Sequence, residues 1–175
     1  MPQTSVTALT RGYAGMLVDT SYHKNTRSYV SEESSAEIPF GVMVVQGTAD
    51  NQALLPHTSA ADNEQKLLGI VQHSHAYAKD QELGDDGLKP KVTMGVLTHG
   101  RILVPVEEDV APGDAVRVRV VVSGAEQAGA FRTAADGTDC IDISSFARWT
   151  ASGTAAGVAE LEIDMTNRAG ATADT

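Results

Sequence analysis

The chain has 175 residues and a formal net charge of −10, from 13 Lys and Arg residues against 23 Asp and Glu residues. A single domain of that length buries roughly 70% of its unfolded surface, so it can form a full core without disulfides. The acidic balance argues against nucleic acid as a partner, because Lys and Arg contacts to phosphates supply most of that affinity.

Cys140 is the only cysteine, so the chain offers it no disulfide partner, and we expect a structural thiol. The first residues show neither the basic region nor the apolar region of a signal peptide. No window approaches the ~20 apolar residues of a membrane span. The sequence therefore predicts synthesis in a cytoplasm and no membrane partner.

Residues 1–37 are rich in Ser and Thr and have no sustained hydrophobic period, so we expect an extended N-terminal arm. Residues 1–30 contain three cationic side chains and one acidic side chain, Asp19, so this segment is positive whereas the body is acidic. Its apolar side chains suit a contact with the chain's own body or with a neighbouring subunit. The candidate partner contacts in the arm are Tyr13, Met16, Leu17, Tyr22, Arg27 and Tyr29.

The predicted body, residues 38–164, consists of short apolar runs separated by Gly, Asp and Asn turns. This spacing predicts an all-β domain, either a single β-barrel or a jelly-roll or sandwich. No segment keeps a helical apolar stripe for three turns, although residues 59–68 could form a turn or two. The predicted strands lie in residues 38–47, 66–72, 92–97, 101–106, 115–122, 146–150 and 158–163.

The segment at residues 97–122 carries the clearest pattern of the chain. In residues 101–106 the even positions are Ile, Val and Val, so one face of this strand is fully apolar. Pro112 presets φ at the second position of a turn, and Gly113 suits the positive φ that follows. The pattern predicts two sheet strands joined by a turn, with no catalytic group.

Two long polar connections, residues 73–90 and 123–145, interrupt the strands. Connections of that length usually bind a partner or are mobile. The last residues, 165–175, are small and polar and predict a flexible C-terminal tail.

His73 and His75 are weak metal candidates, because alternate residues of a strand share a face and two imidazoles can grip one ion. A third ligand would have to come from elsewhere, so we expect no bound metal and no cofactor. The residues available for that third place are Asp80, Glu82, Asp85, Asp86 and His99.

Glu107, Glu108 and Asp109 could support acid/base chemistry, but adjacent acids at a strand end more often form a solvated rim. No Gly-x-Ser-x-Gly elbow and no glycine-rich phosphate loop with its Lys is present, so we predict no enzyme. Trp149 alternates with Arg148 and is expected either as a core residue or as an interface anchor that contacts a partner.

Several of these segments, in this order, resemble the structural cement (capsid decoration) proteins of tailed bacteriophages. The resemblance covers most of residues 38–164, and its most telling part is Ala147-Arg-Trp149 followed by a Gly-Val-Ala-Glu-Leu strand that begins at Gly157. No motif can be matched in residues 1–30, and the segment 73–90 is peculiar to this chain. The other matching segments are residues 38–47, 68–71, 96–107, 110–116 and 129–132.

The resemblance implies a non-enzymatic virion protein that binds the outer capsid surface and ties neighbouring major capsid protein subunits together. Such a protein is made in the host bacterial cytoplasm. We expect a homo-oligomer and favour a dimer over a trimer, because a twofold contact covers the same sheet edge on both copies.

Two alternative functions stay open. One is another virion or extracellular β module, such as a fibre, tail or carbohydrate-binding domain; the other is a metal-dependent β-barrel enzyme that uses His73, His75 and an acid.

Overall fold

The structure, a computed structural model, describes residues 12–19, 24–57, 66–74, 87–122, 124–167 and 172–173. These residues form mostly short strands, and no helix among them is long and apolar enough to cross a membrane. Two 3₁₀ turns cover Gly137–Asp139 and Met165–Asn167. The strands are β1 (Asn25–Ser31), β2 (Ile38–Pro39), β3 (Met43–Gln46), β4 (Gln52–Leu54), β5 (Leu67–Val71), β6 (Gly87–Leu88), β7 (Thr93–Pro105), β8 (Arg117–Arg119), β9 (Phe131–Arg132), β10 (Cys140–Asp142), β11 (Ala147–Trp149), β12 (Val158–Asp164) and β13 (Thr172–Ala173).

Five strands close into a barrel in the order β1, β4, β3, β5 and β7, and the pairing of β1 with β7 completes the ring. The β1 to β4 pairing is parallel and the other four are antiparallel. Each strand of the ring gives at least one side chain to a common buried cluster, so this cluster fills the barrel. The predicted all-β domain is confirmed, and of the alternatives given for it the structure contains a closed barrel. The side chains that meet in the barrel include Tyr29, Val44, Ala53, Val71, Met94 and Val96.

β7 joins the barrel to a second layer, because its 13 residues are long enough to serve both. Its first half pairs with β1 and β5, and its second half pairs with β12, which also pairs with β11. A separate four-stranded sheet follows the order β13, β10, β8, β9. The larger hydrophobic core lies where these strands meet the barrel, and it includes Met43, Leu97, Val118, Phe131, Ile141, Trp149 and Leu161.

The alternation predicted for residues 101–106 is confirmed. Ile102, Val104 and Val106 all lie in the larger core, at 3% exposure or less. The two predicted strands at residues 92–97 and 101–106 are one continuous strand, β7, since the residues between them stay extended and paired. The predicted runs also contain β3, β5, β8, β11 and β12.

The turn predicted after this strand is also confirmed. Gly113 has φ of 100°, and the backbone N–H of Asp114 donates to the carbonyl of Ala111 at 3.1 Å. The Asp114 carboxylate in turn accepts the N–H of Ala111 at 2.8 Å. The side chain therefore fixes the same turn that the glycine permits.

The long connection predicted at residues 123–145 is wrong, because this segment contains β9, a 3₁₀ turn and β10. These two short strands lie among small and polar residues, so no alternating pattern marks them, although their inward side chains Phe131 and Ile141 are fully buried. The connection predicted at residues 73–90 ends in β6, which pairs with β2. In the possible helical turn at residues 59–68, the last two residues belong to β5, and residues 59–65 lie outside the described part.

The predicted arm, residues 1–37, contains β1, a strand of the barrel. The first four residues of β1 are exposed and only Tyr29 and Ser31 are buried, so the sequence shows too little alternation to reveal a strand. In the predicted tail, residues 165–175, the structure places a 3₁₀ turn and β13, which pairs with β10. Residues 1–11 and 20–23 lie outside the described part.

Candidate partner-binding surfaces

Residues 12–19, which we call the N-terminal anchor, tie the start of the chain to one edge of β7. Leu17 forms an antiparallel bridge with Ile102. The backbone N–H of Gly15 donates to the carbonyl of Leu103 at 2.8 Å. The described part of the predicted arm thus lies on the chain's own body.

The candidate contacts within the anchor are used inside the chain. The ring centroid of Tyr13 lies 4.4 Å from that of His73, and Phe40 packs against the same imidazole at 4.5 Å. Leu17 packs against the larger core. Met16 is half-buried, and its carbonyl accepts a hydrogen bond from the backbone of β7 at 2.9 Å. These four contacts stabilise the fold of the chain itself.

The metal candidates are not brought together in the described part of the structure. His73 lies between aromatic rings, and His99, on β7, pairs with Asp164 at 3.1 Å. No group of three His, Cys, Asp or Glu side chains in the described ranges could hold a metal ion. The candidates that fall outside those ranges are His75, Asp80, Glu82, Asp85 and Asp86.

Arg27 and Tyr29 line one cleft of about 190 Å³, which we call the barrel-mouth cleft. Tyr29 is 8% exposed and belongs to the barrel core, whereas Arg27 is exposed. Tyr22 lies outside the described residues. The cleft is lined by Asn25, Arg27, Tyr29, Leu67, Leu68, Thr98, Met165 and Thr166.

The cations at the start of β1, of which Arg27 lines the cleft, differ from those of the second layer. Lys24 and Arg27 are exposed, and neither forms an ion pair with any residue that the structure describes. In the described ranges, each arginine of the second layer, and Arg101 on β7, has a carboxylate partner. These arginines are Arg101, Arg117, Arg119, Arg132 and Arg148. The start of β1 therefore presents positive charge that a partner can use without breaking an internal pair.

Arg119 is a buried cation with 1% exposure. Its Nε and Nη2 donate to the two carboxylate oxygens of Glu107 at 2.6 and 2.9 Å. Nη2 also donates to Asp136 at 2.8 Å, and Nη1 lies 3.0 Å from a carboxylate oxygen of Glu126. Nη1 further donates to the carbonyl of Val121 at 3.5 Å. The guanidinium is thus satisfied on all of its nitrogens, as a buried charge requires.

Arg132 extends this assembly by pairing with Asp136 at 2.9 Å, Glu107 at 3.3 Å and Glu108 at 3.6 Å. We call the two arginines and their four carboxylates the Arg119 network, with members Glu107, Glu108, Arg119, Glu126, Arg132 and Asp136. The expected solvated rim at residues 107–109 is therefore wrong for its first two acids, which bind guanidinium groups. Asp109 is exposed and accepts the backbone N–H of Ala155 at 2.8 Å.

Two members of the network, Arg119 and Asp136, are stabilised in their charged forms. The hydrogen bond from Arg119 keeps the pKa of Asp136 below its ordinary value of 3.8. The hydrogen bonds to Glu107 raise the pKa of Arg119 above its ordinary value. A general acid or base must change its protonation near the working pH. Both pKa shifts lie away from neutral pH, so Arg119 and Asp136 suit structural ion pairs and not proton transfer.

Sequence reasoning missed the Arg119 network. Arg117 and Arg119 alternate with buried valines on a short strand, a pattern that predicts two outward arginines. Arg119 is nevertheless buried, because the segment after it folds back and places its acids over the guanidinium. The acidic run at residues 107–109 was the available signal, but its partners lie on other strands.

An open groove of about 540 Å³ lies beside the network, at the end of β7, and we call it the β7-end groove. Its apolar walls include Pro105, Val106, Ala130 and Ala156, and carboxylates such as Glu108 line it as well. The groove therefore combines an apolar floor with excess negative charge.

Cys140 and Trp149 both lie in the interior. Cys140 is fully buried, and burial raises the pKa of its thiol to about 11, as befits a structural residue. Trp149 is 3% exposed, its indole N–H donates to the carbonyl of Ala115 at 3.0 Å, and its ring meets Phe131 edge-on at 6.5 Å. Of the two alternatives for Trp149, the structure places it in the core.

Comparison with known proteins identifies the family. Residues 1–164 match the family described as structural cement protein (E217 gp24/Pam3 gp6). A solved chain from "The capsid of Myoviridae Phage XM1" shares the fold, with a TM-score of 0.62 at 14% identity over 94% of this chain and 98% of that one. A comparison with curated proteins gives no match. Since the family match spans nearly the whole sequence, the chain belongs to the structural cement protein family.

Proposed function

We propose that this chain binds the outer surface of a tailed-phage capsid and ties neighbouring major capsid protein subunits together, without catalysis. Membership of the cement family assigns the chain a structural role in a phage capsid. The family match over residues 1–164 carries the proposal, and the fold shared with a phage capsid chain supports it. Synthesis in the host cytoplasm belongs to the same proposal.

The start of β1 is the proposed contact with the capsid. Lys24 and Arg27 are exposed there, and Arg27 stands at the rim of the barrel-mouth cleft. The chain is acidic overall, so most of its surface repels a negatively charged partner. The unpaired cations at the start of β1 attract such a partner instead. The partner chemistry that this surface fits is a group of carboxylates on the major capsid protein.

Binding of this kind stabilises the shell by mass action. A protein that binds the assembled lattice and not the separated subunits adds RT ln(1 + [L]/Kd) per site to the free energy of disassembly. At a free concentration of 100 times Kd this contributes about 2.7 kcal/mol per site. Contacts with two subunits at once add avidity, so each single contact can be modest.

Cosedimentation with capsids that lack the protein tests both parts of the proposal. The double variant Lys24→Glu and Arg27→Glu should bind the capsid at least about tenfold more weakly, since like charges across an interface repel. The control is Lys89→Glu with Lys91→Glu, which makes the same charge change at exposed positions away from the cleft. We expect this control to bind within about threefold of the unmodified protein, as an exposed charge outside the contact is worth little.

The possible failures are distinguishable. Equal losses in the two double variants would show a general charge effect and would remove the start of β1 as the contact. Failure of the unmodified protein to sediment with capsids would remove the proposed function itself.

A further inference from the structure

One edge of β1 is unpaired over the first part of the strand. On the side of β7, the pairing runs from Asn25 to Val30. On the opposite side, β4 pairs only with Val30 and Ser31. The residues from Thr26 to Ser28 are exposed, and among the described residues no strand pairs with their second edge. We call this stretch the β1 edge.

The backbone groups of Thr26 and Ser28 point outward along the β1 edge. Successive residues of an antiparallel strand direct their N–H and C=O groups to opposite sides. The N–H of Ser31 donates to the segment that leads into β7 at 2.9 Å, whereas that of Val30 donates to Asn51, beside β4, at 2.8 Å. Thr26 and Ser28 therefore share the outward direction of Val30, and no described residue gives them a backbone partner there. Such an edge is a template for another strand.

The charges around the β1 edge favour an acidic occupant. Lys24 and Arg27 are exposed, and neither forms an ion pair with a described residue. Asp50 precedes Asn51 in the turn at the Val30 end of the edge, so this acid and Lys24 stand at opposite ends. An extended segment with carboxylates near Lys24 and Arg27 would match both the backbone groups and the cations.

A second copy of this chain fits the β1 edge less well. In a twofold antiparallel pairing, the registers centred between Lys24 and Arg27 gather these cations from both copies on one short ladder. The register centred on Arg27 places the two guanidinium groups directly opposite each other, and like charges so placed destabilise a strand pair. A register centred on Ser28 requires the outer edge of Val30, which β4 already occupies.

We propose that the β1 edge binds an extended segment of the major capsid protein as an added β-strand. The segment forms main-chain hydrogen bonds with Thr26 and Ser28, and its carboxylates pair with Lys24 and Arg27. This inference rests on the proposed capsid function and specifies how the contact is made. Main-chain hydrogen bonds supply affinity in strand addition, and the charges select which segment binds.

Amide hydrogen exchange of the full chain tests strand addition directly, because the amides of β1 alternate in direction. In the free protein, the amides of Thr26 and Ser28 should exchange at least about tenfold faster than those of Arg27 and Tyr29, which face β7. On the capsid, the two outward amides should slow by at least about tenfold, as read by fragment mass spectrometry after quenching. Unchanged exchange of both outward amides in the capsid-bound protein would overturn the proposal. Slowing that appears without capsids as the protein concentration rises would assign the edge to a second copy and overturn it as well.

Ser28→Pro provides the second measurement. Proline removes the outward N–H and its ring obstructs an added strand, yet it is tolerated on an edge where that N–H faces away from the ladder. Cosedimentation with capsids should show binding at least about tenfold weaker. The matched control is Ser28→Ala, which keeps the N–H and both cations and should bind within about twofold of the unmodified protein.

The outcomes separate the mode of binding from the proposed function. Equal binding of Ser28→Pro and Ser28→Ala would overturn strand addition and leave a contact through the cations standing. Failure of the unmodified protein to sediment with capsids would remove the proposed function itself. Circular dichroism verifies that Ser28→Pro folds, and if it does not, the exchange of the unmodified protein decides.

Discussion

At the scale of single residues, Arg119 shows how this acidic chain tolerates a buried charge. Its exposure is 1%, and each nitrogen of its guanidinium has an acceptor. Removing one partner of a buried ion pair destabilises a protein strongly, because the remaining charges lose their compensation. The planar fork of Arg holds Glu107 through two nitrogens and still reaches Asp136 and Glu126, whereas the single nitrogen of Lys has only three donors and cannot make all of these contacts.

Arg119→Lys should therefore lower the free energy of unfolding by about 3 kcal/mol, measured by urea denaturation. The matched control is Arg148→Lys, because Arg148 is 69% exposed and its one carboxylate partner among the described residues is Glu162, at 2.7 Å. An exposed pair contributes little, so the control should change stability by less than about 1 kcal/mol. Equal effects of the two substitutions would contradict the structural role of the Arg119 network.

Asp136 predicts how the stability of the network depends on pH. Its folded-state pKa lies below the ordinary 3.8, so its contribution is present above the unfolded-state pKa and disappears as pH falls through the folded-state value. Stability should therefore be level near neutral pH and fall below about pH 4.

Asp136→Asn should be less stable than the unmodified protein at pH 7 and should lose less stability between about pH 5 and pH 2. Thermal unfolding across this range measures both effects. Asp50→Asn, at an exposed turn residue, is the control and should follow the unmodified protein. If Asp136→Asn and the unmodified protein showed the same acid sensitivity, the ion pairs of Asp136 would not contribute.

At the scale of elements, sequence reasoning succeeds where a strand lies within a longer run of apolar or alternating residues. The second half of β7 and β12 form such runs themselves, and the three-residue strands β8 and β11 lie inside predicted runs. β9 and β10 lie among small and polar residues, and β1 is exposed over its first four residues. Closure of the barrel by β1 and β7 depends on long-range pairing, which no local pattern reveals.

The same limit applied to the candidate contacts. The apolar side chains of Tyr13 and Leu17 suited a contact with the chain's own body or with a neighbouring subunit. The structure shows contacts of the first kind, with His73 and the larger core, and a contact with a partner stays a prediction. Arg27 is exposed, and its role as a contact with a partner stays a prediction.

The N-terminal anchor depends on a close backbone approach at Gly15, where φ is +81° and a Cβ would lie 2.7 Å from the backbone nitrogen of His73. Gly15→Ala should thus destabilise the protein and speed proteolysis of the anchor. Gly113→Ala is the control, because Gly113 also has a positive φ, of 100°, but has no atom within 4 Å of the added methyl group. The control should cost about 1 kcal/mol from the backbone alone, and Gly15→Ala more. Equal costs would show that the close approach does not hold the anchor.

At the scale of the whole molecule, the sheets leave edges that a second copy can cover. β11 ends the seven-stranded sheet and β13 ends one side of the four-stranded sheet, whereas β9, at the other side, is already bridged to Val106. Exposed strand edges favour pairing with another chain, and a twofold contact uses the same edge on both copies. We predict a homodimer, so light scattering should give twice the mass of the 18.3 kDa chain. A trimeric mass would contradict the dimer and leave the cement function standing.

The most direct test of the cement function is cryo-electron microscopy of tailed-phage capsids to which this protein has been added back. We predict ordered density on the outer surface, with each copy contacting at least two major capsid protein subunits through the face that carries Lys24 and Arg27. Density that touches a single subunit, lies inside the shell or is absent at saturating protein would contradict the account.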